Sequence, residues 1–149
     1  MFVVRAPGPH PTRADPGVEI EVVRDPVGLA EAERVAVEGY PMPALVGGPV
    51  GDVLAPGVLD TDVHYRIGRL DGVPVGVAAR YVGQGVVNLC LAATLPAARR
   101  RGVWASLVWA RVDDAPDLPA VAFTSDFSRP GFVRMGFLPI TRFTLWARG

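Results

Sequence analysis

The chain has 149 residues, 15 basic against 15 acidic side chains, no net formal charge and a hydrophobic share of 50%, enough for one domain burying roughly 70% of its unfolded surface. Every basic residue is Arg, which excludes a Schiff-base lysine, a pyridoxal phosphate enzyme and a Walker-type phosphate loop, because each needs an ammonium. A single Cys90 with only His10 and His64 excludes a Cys/His zinc centre and an intrachain disulfide, and charge balance argues against a general nucleic-acid binder.

In chain order, residues 1–17 read as a flexible arm, because APGPHPTRADPG offers turn residues and little to bury. The opening MFVVR is too short for a signal-peptide core, and no run of about 18 apolar residues follows, so a soluble cytoplasmic protein with no membrane contact is expected. The folded domain is expected over 18–149. Val18, Ile20 and Val22 alternate with Glu19 and Glu21, the period of a half-buried strand. Asp25 before Pro26 is a helix start, and Leu29, Ala32, Val35 and Ala36 carry an apolar stripe as far as Gly39. Proline and glycine then punctuate 41–56, leaving room only for a short or irregular helix.

HYRIGRL and VPVGVAARYV flank Asp71-Gly72 as a hairpin, and VVNLCLAATL adds a third strand after Gly83-Gln84-Gly85. VWASLVWARV reads as a helix stopped at Asp113-Asp114-Ala115-Pro116, followed by a strand in LPAVAFTS. Ser128 starts a brief helix over 129–135 that ends at Gly136, and a last strand is expected from Leu138 to Ala147. The order β-α-(α)-β-β-β-α-β-α-β is that of an α+β fold, a mixed, mostly antiparallel central sheet flanked by helices.

The most informative stretch is TLPAARRRGVWASL. A strand feeding a helix aims unpaired N–H groups and the positive helix end at one place, Gly102 lets a bulky ligand approach, and Arg99, Arg100 and Arg101 add guanidiniums, so a diphosphate is the best-suited ligand. Taken alone, three arginines are equally a solvated loop. The segment from Thr94 to Trp104 resembles the acetyl-CoA signature of the GCN5-related N-acetyltransferases (GNAT superfamily). Phe132-Val133-Arg134-Met135-Gly136-Phe137 resembles that family's Tyr-x-x-x-Gly-Phe element, with Ser125 where members often carry Asn.

The resemblance implies that backbone groups near Ala92 and Thr94 pair with the pantetheine arm of acetyl-CoA. It places the amides from Arg99 through Gly102, Val103, Trp104 and Ala105 around the pyrophosphate, and Ser125 and Ser128 beside the pantetheine. It also implies acetyl transfer to a small-molecule amine by direct attack, without a metal. Two departures stand out: Trp104 replaces a small residue, and Phe132 replaces the Tyr that in many members protonates the leaving thiolate, which a phenyl ring cannot do. A catalytically silent CoA-binding or protein-interaction module is the other reading.

For proton removal from the amine, Cys90 and His64 are the candidates, against core packing for the thiol and a solvated or satisfied imidazole for the histidine. Few residues follow Phe137 where members carry two closing strands, so the tail has room for one, and the missing strand leaves either an open sheet edge or a place for a partner chain, as in a homodimer.

Overall fold

The computed structural model describes residues 1–40, 42–144 and 146. Thirteen elements follow one another: β1 (Phe2–Arg5), β2 (Glu19–Val22), α1 (Pro26–Gly39), two 3-10 turns (Pro43–Leu45 and Pro56–Asp60), β3 (Val63–Leu70), β4 (Val73–Gly83), β5 (Val86–Thr94), a 3-10 turn (Pro96–Ala98), α2 (Val103–Val112), β6 (Ala120–Phe123), α3 (Arg129–Arg134) and β7 (Leu138–Thr141). The strands form one sheet in the order β2-β3-β4-β5-β6-β1-β7, antiparallel throughout except for the β5–β6 pair. The α+β expectation holds, with its mixed sheet.

Local chemistry accounts for most of the elements. The Asp25 carboxylate accepts from the Gly28 N–H at 2.8 Å and Pro26 opens the first turn, so α1 begins where the sequence marks it. Asp71 and Gly72 both take positive φ, the tight turn that joins β3 to β4. Helix α1 covers one sheet face through Leu29, Ala32, Val35 and Ala36 against Tyr65, Ile67, Val77, Ala79 and Ala93. Helix α2 covers the other, with Val103 and Leu107 packed near Leu70, Ala78 and Ala92. Gly68 and Gly76, paired across β3 and β4, make room for α2, since a Cβ at Gly76 would stand 2.9 Å from Leu107 Cδ1.

The N-terminal expectation is corrected. Residues 1–17 are not a free arm, for Phe2–Arg5 is an inner strand between β6 and β7, and Val3 is fully buried. Residues 6–17 then run as a strap along the outer side of α2. Arg5 Nη2 donates to the Gly8 and Pro9 carbonyls at 2.8 and 2.7 Å, and His10 stacks on the Trp109 indole at 3.9 Å. Trp109 Nε1 donates to Thr12 Oγ1 at 3.2 Å, and the Asp15 N–H donates to Ser106 Oγ at 2.9 Å. The slot expected to lack a strand is therefore filled by this chain's own β1. The closing strand is shorter than expected, ending at Thr141, and Leu145 and Ala147 lie outside the described residues.

Candidate active site

The β5–β6 pairing stops early. It joins Val87 to Ala120, Asn88 to Val121 and Leu89 to Ala122, while β5 runs on to Thr94 paired with β4 alone. The two parallel strands thus splay apart from Cys90 onward. Which groups face the opening follows from the alternation of a strand. Val87 donates its N–H to Pro119 on the β6 side, and Leu95 donates to Val75 on the β4 side. Counting back from Leu95, the N–H groups of Thr94 and Ala92 face β6. Counting forward from Val87, those positions would have faced β4.

A bulge reverses the phase: Ala79 pairs with Cys90 and Ala78 with Ala92, leaving Leu91 as the extra residue. Ala92 and Thr94 are the two residues whose backbone was expected to meet a pantetheine, and the bulge is what turns them toward the opening. Thr94 Oγ1 is also buried there without a hydrogen-bond partner among the described residues.

Beyond Thr94 the chain turns through Pro96–Ala98 and reaches α2 by way of Arg100 and Gly102, both at positive φ. Gly102 is the N-cap, and no side chain among the described residues caps the helix, so the first amides of α2, from Val103 to Ala105, face outward with the positive helix end. The three arginines divide. Arg99 donates to the carbonyls of Thr94 (3.3 Å) and Gly39 (3.2 Å), tying the loop to the ends of β5 and α1. Arg100 is exposed, and Arg101 is half exposed at 4.0 Å from Asp71. Two guanidiniums are thus available to an anion, and the third is a brace.

Two groups narrow this site. Asp15, on the strap, lies against Gly102, with Oδ2 2.8 Å from where a Cβ there would stand. Trp104 reaches across to α3, its Cη2 2.8 Å from a Cβ position on Gly131, and meets the Phe132 ring edge to face at 4.9 Å. Phe132 itself is 5% exposed, packed between Trp104 and Phe137. It is a core ring that Trp104 screens. Ser125 and Ser128 form one exposed turn, their hydroxyls 3.2 Å apart.

The sequence candidates for a base are not brought together. Cys90 packs on the α1 face with Tyr65 and Ala79, whereas Ala92 belongs to the α2 face, because the bulge breaks the two-residue period that would have aligned them. Burial pushes the Cys90 thiol up, only partly offset by Arg111, so it is no thiolate at neutral pH. His64 is exposed and shares its face with Arg66, whose guanidinium pairs with Asp114 beyond the end of α2, so it lies on the opposite side of the sheet from Cys90. Tyr65, buried and with its hydroxyl raised first by desolvation, lies on the Cys90 face. Among the described residues no group of three metal-ligating side chains forms, and no helix is long and apolar enough to cross a membrane.

Sequence patterning assigns no site role to Arg111 or Asp114, whose charges sit at and just beyond the end of an apolar helix. Arg111 is buried to 1% and donates to the carbonyls of Leu107, Ala79 and Cys90 at 2.9, 2.8 and 2.9 Å. Asp114 joins Arg66 to Arg80 across β3 and β4.

No family model and no curated protein sequence matches the chain. Solved structures do. An aminoglycoside N-acetyltransferase, AAC(6')-Iy, determined in complex with CoA, is similar with a TM-score of 0.67 at 23% identity over 88% of this chain and 94% of that one. An acetyltransferase from Trypanosoma brucei is similar with a TM-score of 0.68 at 16% identity over 88% and 99%. A GCN5-related N-acetyltransferase from Kribbella flavida gives 0.65 at 22% identity over 93% of this chain, which spans about half the length of that protein. The fold is that of the GCN5-related N-acetyltransferases.

Proposed function

We propose that this protein transfers an acetyl group from acetyl-CoA to the amine of a small molecule by direct attack on the bound thioester. The observation that carries the reading is the continuity of the β5–β6 opening with the uncapped N-terminus of α2: a strand edge with free amides at Ala92 and Thr94 runs directly into an anion site. A molecule with a peptide-like arm and a diphosphate matches both ends. In this reading the pantetheine lies along Ala92 and Thr94, with Ser125 and Ser128 across from it. The amides from Gly102 to Ala105 and the Arg100 and Arg101 guanidiniums hold the diphosphate, and an outward-facing β5 amide polarises the thioester carbonyl.

The AAC(6')-Iy structures carry CoA or a CoA bisubstrate analogue, and a similar metagenomic enzyme carries sisomicin, which supports an amine acceptor. With Cys90 protonated and His64 on β3, separated from β5 by β4, the amine reaches the thioester as the free base, its proton lost to solvent, in the cytoplasm. The test is a titration with acetyl-CoA followed by an amine screen that reads released thiol. Binding together with acceptor-dependent thiol release supports the reading, and a chain that binds neither acetyl-CoA nor CoA defeats it.

A second reading is favoured by Phe132 and Trp104: with phenyl in the core where a hydroxyl would serve as acid, and an indole at the first turn of α2, the fold also suits a module that binds CoA without turnover. Tight CoA binding with no amine acetylated selects it.

A further inference from the structure

We propose that Arg111 is a positioning residue for acetyl transfer: its guanidinium pins the Leu91 bulge and so holds the Ala92 and Thr94 amides toward the β5–β6 opening. The inference rests on the acetyl-transfer reading above. A buried cation is normally paired with a carboxylate, yet Arg111 is ringed by carbonyl oxygens. Its Nη1 donates to Ala79 (2.8 Å), Cys90 (2.9 Å) and, more weakly, Leu91 (3.5 Å), while Nε donates back to Leu107 of its own helix and Nη2 has no partner among the described residues. The nearby carboxylate, Asp114, is engaged by Arg66 and Arg80. Burial lowers the Arg111 pKa to about 9, so the group stays a cation at neutral pH.

Three of those carbonyls are the ones a bulge leaves poorly placed: Ala79 on β4 opposite the extra residue, and Cys90 and Leu91 on either side of the phase change. One guanidinium nitrogen, Nη1, at a fixed reach from α2 bonds to all three and disfavours the regular register, in which Ala92 and Thr94 would face β4 instead. The contact also acts electronically. The Leu91 carbonyl and the Ala92 N–H belong to one peptide group, so a cation at the oxygen makes the N–H a better donor to a thioester oxygen. Balancing charge with a carboxylate would cancel that effect, which gives a reason for the missing partner.

The experiment compares the wild-type chain with Arg111→Lys and Arg111→Met, using acetyl-CoA labelled with 13C at the carbonyl. The expected result is a bound carbonyl resonance displaced from its free position in the wild type, with most of the displacement lost in both variants. Turnover should fall about 10- to 100-fold, more than CoA affinity does, because the pantetheine loses the same amides while the diphosphate end of the site is untouched; Lys retains more than Met. An undisplaced carbonyl in the wild type, or no binding, overturns the acetyl-transfer reading and this inference with it. A displaced carbonyl that stays displaced in Arg111→Lys overturns the positioning role alone. Should neither variant fold, the wild-type Arg111 Nε resonance serves: it should differ between the CoA and acetyl-CoA complexes, and identical shifts overturn the role.

Discussion

At the residue scale, the three consecutive arginines separate into different kinds of work, and substitution should show it. Arg99 bonds to backbone at the ends of α1 and β5, where Gly39 packs so closely that a Cβ would stand 3.1 Å from the Thr94 carbonyl carbon. Arg99→Ala should therefore lower stability in denaturant by about 0.5 to 1.5 kcal/mol, the usual net value of a hydrogen bond, and alter CoA binding only secondarily. Arg100→Ala and Arg101→Ala should leave stability alone and weaken CoA by about 1 to 3 kcal/mol, less at high salt, as titration at two ionic strengths would show. Asp15 bears on the same site with the opposite sign. Its carboxylate lies against Gly102, so Asp15→Asn should tighten CoA by about 2- to 5-fold, the scale of one exposed charge, and a loss of affinity on that change would show that the strap contact supports the site. Cys90→Ala and His64→Ala should each keep the rate on a competent amine within about 3-fold, because one is a protonated thiol and the other sits on β3 with β4 between it and β5; a 100-fold loss, the low end for general acid–base catalysis, would restore either as the base.

At the scale of elements, the parts that the sequence shows plainly are those whose chemistry is local. Asp25-Pro26 starts α1, Asp71-Gly72 turns the hairpin, and the Pro96 to Gly102 segment delivers a strand into a helix N-terminus, each by residues that act within a few positions of themselves. The bulge is different. Val86–Thr94 reads as one continuous apolar strand, and nothing within it marks Leu91 as extra, since the phase change exists only relative to β4. Strict alternation along this strand would align Cys90 with Ala92 and Thr94, and the bulge that Arg111 bonds to is invisible in the strand's own pattern. The cluster over β3 and β4 has a testable pH signature. Burial alone would raise the Asp114 carboxyl, but hydrogen bonds and charge from Arg66 and Arg80 outweigh it and hold it below the usual carboxylate range. A depressed folded-state pKa contributes stability that is present above the unfolded value of about 3.9 and lost as pH falls through the folded one. Asp114→Asn should thus be less stable than wild type at pH 6, with the gap closing below about pH 4, as denaturant midpoints across that range would show.

At the scale of the molecule, the first five residues and the last described strand complete one half of the sheet together, although the β1 residues pair with partners more than a hundred positions away. No local pattern in MFVVR could reveal that; four residues beside a proline-rich stretch look like an arm until the register with Ala120–Phe123 is seen. The consequence is mechanical. Val3 is fully buried among Val87, Trp109, Ala122 and Phe137, and Arg5 stacks on Trp109 at 5.1 Å, so the strand and the strap together close the core over the outer side of α2. A carboxylate at position 3 would enter that apolar cluster, where Arg5 is already held by the Gly8 and Pro9 carbonyls, a burial that costs several kcal/mol in a protein whose whole stability is about 5 to 15. Val3→Asp should therefore abolish cooperative unfolding, or shift the denaturant midpoint far downward, whereas a mere arm would tolerate it. The milder Val3→Ala should remain folded and lose about 1 to 3 kcal/mol, the transfer free energy of the lost methyls plus a small cavity. If both variants unfold at the wild-type midpoint, β1 does not belong to the sheet in solution and the slot between β6 and β7 is open to another strand.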